Sequence, residues 1–260
     1  MTITIVKDEL KGVRVLVTGG SSGLGRAMAQ ALDSAGARVA LSSRDTWRAQ
    51  AAAAELESAL GVTLDVRDVR SVAAAVDAVY EELGGLDVLV NNAGIGMQTV
   101  NTRFMTDPQP FWEVSEAGFH DVLTTKATGT FLVSSAVVPR MLDVGRGRVI
   151  TISMSESTMV RRGFVPYGPS GAAVEAFARV MAADLVGTPI AANILLPGGP
   201  TATGMVPDDI DKDVRARLLD PSVMGPPIVW LASQFAAGVH DERIVACDFT
   251  DWLSARELDT

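Results

Sequence analysis

Short apolar runs alternate along the chain with longer alanine-rich stretches whose apolar residues recur at helical spacing. Val13–Thr18, Arg38–Ser42, Val62–Asp65 and Leu86–Asn91 read as strands. Arg26–Ala35, Thr46–Leu60 and Val69–Leu83 read as the helices between them, each ending at a glycine: Gly36, Gly61 and Gly84. The second half continues with a mostly helical Phe111–Leu142, a strand at Arg148–Ser153, a helix at Ser170–Val186 and a strand at Ala191–Leu196. A helical segment around Ile228–Ser233 and a last strand at Ile244–Cys247 follow. Strands that are apolar at nearly every position are covered on both faces, which requires a parallel sheet between two helix layers. The pattern therefore predicts an α/β chain, one doubly wound Rossmann domain with a mainly parallel sheet of about seven strands.

Two segments fit no strand–helix unit. Gly96–Pro110 and Gly198–Met224 both follow strand ends, where open α/β sheets bind ligands. Segments this long are often lids, and residues 198–224 are expected to close over a substrate.

Composition narrows the class. The chain has 260 residues, 48% hydrophobic, with a formal net charge of −9. One domain of that length is ordinary for α/β folds. An acidic surface repels phosphate backbones, so no nucleic-acid partner is expected. The single cysteine, Cys247, forms no internal disulfide, and His120 and His240 stand apart without metal-ligand spacing, so no metal is expected. Met1–Leu10 carries Lys7, Asp8 and Glu9 and lacks a signal-peptide core, and the apolar runs stop short of the ~20 residues a bilayer needs. These features predict a cytoplasmic protein with no membrane partner.

The first candidate chemistry is Thr18-Gly19-Gly20-Ser21-Ser22-Gly23-Leu24-Gly25, placed between the first strand and the first helix. Glycines let the backbone approach a pyrophosphate, and the helix N-terminus offers free N–H groups and partial positive charge. The spacing is Gly-x3-Gly-x-Gly. The end of the second strand decides between nucleotides, because an acid there binds the ribose diol of NAD and an arginine accommodates a 2′-phosphate. Here Ser43-Arg44 stands without an acid at Ser43, which points to NADP(H). A pairing of Arg44 with Asp45 is the alternative.

At this point the chain resembles the short-chain dehydrogenase/reductase family, in its 3-oxoacyl carrier protein reductase-like branch. The likeness rests on Thr18–Gly25, Asp65-Val66, Asn91-Asn92-Ala93-Gly94, Gly129-Thr130-Phe131, Tyr167 with Ser170, and Asn193 followed by Pro197-Gly198. The resemblance implies that Asp65 and Val66 contact the adenine and that Asn92, Ala93 and Gly94 line the cofactor. It implies that Pro197–Thr203, with Gly198, Thr201 and Thr203, holds the nicotinamide carboxamide, and that the protein is a homotetramer or homodimer.

The family's chemistry uses an Asn, a Ser, a Tyr and a Lys four residues after the Tyr. The Tyr moves a proton at the substrate oxygen while the nicotinamide moves hydride at carbon. Aligned by these landmarks, Tyr167 is kept. The Lys position is Gly171, the Ser position is Met154 and the Asn position is Lys126.

Three readings follow. In the first, Lys126 supplies the missing cation from another helix and Ser155, or Ser153, supplies the missing hydroxyl. In the second the chemistry shifts. Without a cation Tyr167 would be ionised in only about one molecule in 10³ at pH 7, a cost of ~4 kcal/mol for a base, so carbonyl reduction is favoured over alcohol oxidation. In the third the chain binds NADP(H) without redox turnover, as a sensor, a structural subunit or a non-redox lyase or isomerase. The first two make it an atypical NADP(H)-dependent ketoreductase acting on a small-molecule carbonyl or alcohol. Arg161-Arg162 and the loop bearing Arg103, Phe104, Met105, Phe111 and Trp112 are further candidates for the substrate mouth. The C-terminal stretch Cys247–Trp252 departs from the family's ending.

Overall fold

The computed structural model describes residues 8–207 and 210–258. Most of the Met1–Leu10 stretch and two positions of the 198–224 segment lie outside the described residues. Seven strands form one fully parallel sheet: β1 (Arg14–Val17), β2 (Arg38–Ser43), β3 (Ala59–Thr63), β4 (Val88–Asn91), β5 (Gly147–Ile152), β6 (Ile190–Leu196) and β7 (Arg243–Val245). Their order is β3-β2-β1-β4-β5-β6-β7. The chain winds outward from β1 to β3 and then crosses back to lay β4 on the other side of β1. That reversal opens a crevice at the carboxyl ends of β1 and β4, the place where such sheets bind ligands.

Among the described residues ten α-helices flank the sheet: α1 (Gly23–Ser34), α2 (Thr46–Ala53), α3 (Val69–Leu83), α4 (Glu116–Leu123), α5 (Gly129–Val144), α6 (Glu156–Met159), α7 (Tyr167–Asp184), α8 (Lys212–Arg215), α9 (Gly225–Ala232) and α10 (Phe249–Leu258). Strand alternation divides the core in two. Val15 and Val17 face the layer that contains Met28, Leu32, Ile228 and Phe249, whereas Leu16 faces the layer with Val76, Val133, Val137 and Met181. α3 shows the sequence logic clearly. Val72, Ala75, Val76, Val79 and Leu83 are its buried residues, a stripe at helical spacing, and Asp68 caps it by accepting from Arg70 N–H at 2.9 Å.

Several boundaries differ from the sequence expectations. α2 stops at Ala53, not Leu60, and Gly61 lies inside β3. A Cβ at Gly61 would sit 2.6 Å from the backbone of Ala49, so this glycine serves close helix–strand approach rather than helix termination. The segment 111–142 is not one helix but α4, a π-helical turn at Thr124–Thr128 and α5. The C-terminal departure forms a helix that was not expected: Phe249 stacks on Trp252, and both lie edge-on to Trp230 of α9. Among the described residues no helix is long and apolar enough to cross a membrane, and no cluster of metal-ligating side chains occurs. His240 is structural, accepting from Ala192 N–H at 3.3 Å and lying 2.9 Å from the carbonyl of Ala182.

Candidate active site

The loop after β1 is held rigidly. Thr18 Oγ1 accepts from Asn92 N–H at 2.9 Å and Ala93 N–H at 3.0 Å, and Asn92 Nδ2 donates to Thr18 O and Gly19 O. A Cβ at Gly20 would meet Leu41 at 2.7 Å, and one at Gly25 would collide with Gly19 O and Asn92 Nδ2. The glycines thus let the loop, the start of α1 and the segment after β4 nest together. Ser22, the N-cap of α1, makes no side-chain cap bond. The first-turn N–H groups of α1, which have no intrahelical acceptor, are left for an anion. This cradle, with Ser21, Ser22, Gly23, Leu24 and Gly25 at its rim, fits a dinucleotide pyrophosphate.

On the adenosine side, Arg44 is exposed and makes no ion pair among the described residues. The expected competitor is otherwise engaged: Asp45 caps α2 by accepting from Arg48 N–H at 3.0 Å. Ser43 Oγ accepts from Asp45 N–H. Asp65 is clamped by Arg67, whose Nε and Nη2 donate to its two oxygens at 2.9 and 2.7 Å. That hydrogen-bonded fork holds the Asp65 carboxyl below the usual carboxylate range, with a smaller contribution from the charge of Arg44. Val66 packs on the start of α5, where a Cβ at Gly129 would lie 2.6 Å from it. The Arg67 clamp was not anticipated, although an Arg two residues after an Asp in a turn was a readable signal.

Across the crevice, Pro197 O accepts from Cys247 N–H at 3.2 Å, and Gly198, with φ of 100°, turns beneath the Cys247 thiol. Thr201 and Leu219 pair across an isolated parallel bridge, which brings the described stretches 201–207 and 210–219 together at their outer ends. The first stretch crosses the crevice. Thr203 lies 3.4 Å from where Gly23 would carry a Cβ, and Met205 lies 3.2 Å from that position at Gly96. Clefts of about 520 and 510 Å³ flank the Thr203–Val206 stretch, and Tyr167 and Lys126 line neither.

The chemistry-bearing residues meet deeper in. Lys126 projects from the middle of the π-helical turn, and π turns inserted in helices frequently mark functional sites. Its stem lies across Gly94, with Cγ 3.1 Å and Nζ 3.6 Å from the position of a Cβ there. The ammonium stands 4.7 Å from the centroid of the Tyr167 ring. Desolvation pushes Lys126 down to about 8 and pushes the half-buried Tyr167 phenol up. Phe104 and Phe164, in edge contact at 5.5 Å, form with Met97 an apolar wall beside Tyr167. Of the other residues considered for a substrate mouth, Arg161 lies over the Phe164 ring, and Phe111 and Trp112 are exposed.

The two candidate hydroxyls are placed differently. Ser155 Oγ lies 2.8 Å from Thr158 Oγ1 and 3.1 Å from Ser157 Oγ at the start of α6. Ser153 is buried, and its Oγ donates to Glu175 at 2.7 Å; Glu175 accepts from Arg243, which reaches back to the carbonyl of Met154. Neither hydroxyl bonds to Tyr167. Asn193 is structural, bonding Val239 O and Glu242 N–H.

The model of the short-chain dehydrogenase family matches residues 13–213. The chain belongs to the short-chain dehydrogenase family. It is 31% identical over 244 residues to the 3-oxoacyl-acyl-carrier-protein reductase of Vibrio harveyi, covering 91% of this chain and 96% of that one. It is 32% identical over 249 residues to a D-threitol dehydrogenase of Mycolicibacterium smegmatis, with 91% and 92% coverage. A Sinorhizobium meliloti dehydrogenase/reductase superposes with a TM-score of 0.78 at 31% identity, covering 91% of this chain and 94% of that one. A Brucella melitensis 3-ketoacyl-acyl-carrier-protein reductase complexed with NADH superposes with a TM-score of 0.80 at 25% identity, with 90% and 96% coverage. The fold is that of a nicotinamide-dependent oxidoreductase.

Against the family pattern, one contact stands out. A Cβ at Gly171 would lie 2.5 Å from Met154 Cε, 2.7 Å from Sδ and 3.0 Å from Cγ. The Met154 thioether fills the space through which a side chain at position 171 would leave α7. Met154 and Gly171 therefore share one space between β5 and α7. Sequence spacing singled out both positions, but only the packing shows that they are in contact.

Proposed function

We propose that this member of the short-chain dehydrogenase family binds NADP(H) and reduces the carbonyl group of a small molecule, with Tyr167 as proton donor. The observation that carries this reading is the Lys126 ammonium 4.7 Å from the Tyr167 ring centroid, its stem lying against Gly94. Burial keeps the phenol neutral at pH 7, the form that donates a proton. As the proton leaves, the adjacent cation stabilises the phenolate that forms. A bound nicotinamide supplies the hydride. The chain's own residues do the rest. Asn92, Ala93 and Gly94 wall the cleft, and the uncapped start of α1 takes the pyrophosphate. The unpaired Arg44 takes the 2′-phosphate through its guanidinium fork.

In this proposal Ser155 orients the carbonyl, with Ser153 as the alternative. Ser155 suits the role better because its partners are other hydroxyls at the mouth, whereas Ser153 is committed to Glu175. The 198–224 segment covers the substrate. Exposed Phe131 on α5 and Val180 on α7 support assembly into a homodimer or homotetramer.

The test is a titration with NADPH and, separately, NADH, followed by turnover with a panel of ketones and aldehydes. NADPH preference, carbonyl-dependent oxidation of NADPH and a loss of roughly 10²–10⁴ in turnover in Tyr167→Phe support the proposal. Nucleotide binding without turnover on any carbonyl, unaffected by Tyr167→Phe, overturns it in favour of a binding protein.

A further inference from the structure

The chain contains only four lysines, Lys7, Lys11, Lys126 and Lys212, against eighteen arginines. A site that needed only a permanent positive charge would be served by either type, yet the cation over the Tyr167 ring is the type whose amine can lose its proton. The surroundings of Lys126 favour that loss. Among the described residues its amine has no ion pair and no hydrogen bond, and its neighbours are Gly94 and the face of Tyr167. On the helices packed against the π turn, Asp121 of α4 faces Arg67 at 3.8 Å, Glu175 of α7 holds Arg243 and Ser153, and His120 of α4 lies 3.4 Å from Thr124 Oγ1. Tyr167 is the titratable group that faces it.

We propose that Lys126 is a nucleophilic amine that forms an imine with an aldehyde or ketone that reaches it beside Tyr167. A lysine desolvated in an apolar pocket is activated in this way. With its amine titrating at about 8, roughly one molecule in ten carries the neutral form at pH 7. The remaining majority supplies the cation of the reductive reading, so the two roles coexist. In the step itself, the amine lone pair forms the C–N bond as the carbonyl π electrons move to oxygen, which takes a proton from the Tyr167 phenol. Nitrogen releases a proton to the phenolate, which passes it to the departing hydroxyl. Water leaves as the nitrogen lone pair completes the C=N bond. No oxidant or reductant is consumed.

The test uses the full chain without nucleotide, so it stands apart from hydride transfer. The protein is incubated with propanal and sodium cyanoborohydride, and alkylated lysines are located by peptide mass spectrometry. Lys126 is expected to be alkylated at pH 7 at least about tenfold faster than the exposed Lys11 and Lys212. Its rate should rise with a midpoint near pH 8. Tyr167→Phe should slow alkylation at Lys126 and leave it unchanged at Lys11 and Lys212. Lys126→Arg should abolish that adduct alone; if this variant does not fold, the wild-type pH profile still decides. Alkylation of Lys126 no faster than at Lys11 and Lys212, or with the same pH profile, overturns the proposal. Failure of NADPH turnover with selective alkylation intact would overturn the reductive reading and leave this one standing.

Discussion

The space shared by Met154 and Gly171 makes a quantitative double-mutant prediction. In Gly171→Ala the new methyl lies within 3.0 Å of three successive atoms of Met154, Cγ, Sδ and Cε. Rotating the terminal methyl alone does not clear it, so the thioether must move as a unit. Overpacking of this kind costs about 1–3 kcal/mol, set against about 1 kcal/mol gained by replacing glycine with alanine inside a helix. The single variant should therefore lose from about zero to 2 kcal/mol.

Met154→Ala should cost about 2–5 kcal/mol, because a side chain only 6% exposed leaves a cavity. In that background the alanine at 171 meets no thioether and enters the cavity. It should then stabilise by about 1–2 kcal/mol, from helix propensity plus one buried methyl. The coupling is thus about 1–4 kcal/mol, centred above the middle of the range for residues in contact. Urea unfolding of all four proteins at one fixed concentration measures it. Additivity within about 0.5 kcal/mol would refute the claim that the two positions share one volume. The same geometry predicts that Gly171→Lys alone misfolds or loses stability, whereas Met154→Ser with Gly171→Lys accommodates the long side chain.

Further predictions concern the charged groups. The lowered value of Lys126 means that its charged form destabilises the fold, so stability should rise between about pH 8 and 10.5 as the unfolded chain keeps the proton and the folded chain has lost it. Lys126→Met should abolish that rise and stabilise the protein at pH 7 by at most about 3 kcal/mol while reducing turnover. A variant that is less stable at pH 7, measured by urea unfolding, would contradict the desolvation argument. Arg44→Ala should weaken NADPH binding by about tenfold or more and leave NADH binding nearly unchanged, the loss of one charge-assisted contact. Equal losses in a calorimetric titration would remove Arg44 from the 2′-phosphate site.

How much of this was legible in sequence depends on whether the signal was local. Unbroken apolar strands, helical patterning, the glycine loop after β1 and Asn91–Gly94 after β4 specified a doubly wound parallel fold, because each strand must be apolar on both faces to be buried. The family likeness and the positions of Tyr167, Lys126, Met154 and Gly171 were read from spacing alone. Gly61 was misread, because a glycine that ends a helix and one that admits a neighbouring backbone look alike in a chain of letters. The C-terminal helix was missed because its fixing contacts, Trp230 with Phe249 and Trp252, join segments far apart in sequence.

What the sequence by itself determined is the scaffold, the nucleotide crevice and the list of chemically able residues, since these follow from local periodicity and motif spacing. Tertiary structure alone decided which of those residues meet. It set Lys126 over Tyr167, committed Ser153 to Glu175 and Asp45 to the cap of α2, and put the Met154 thioether where a side chain at Gly171 would pass. Side-chain volume and charge are satisfied by neighbours in space, and those neighbours come from strands and helices that the sheet topology brings together.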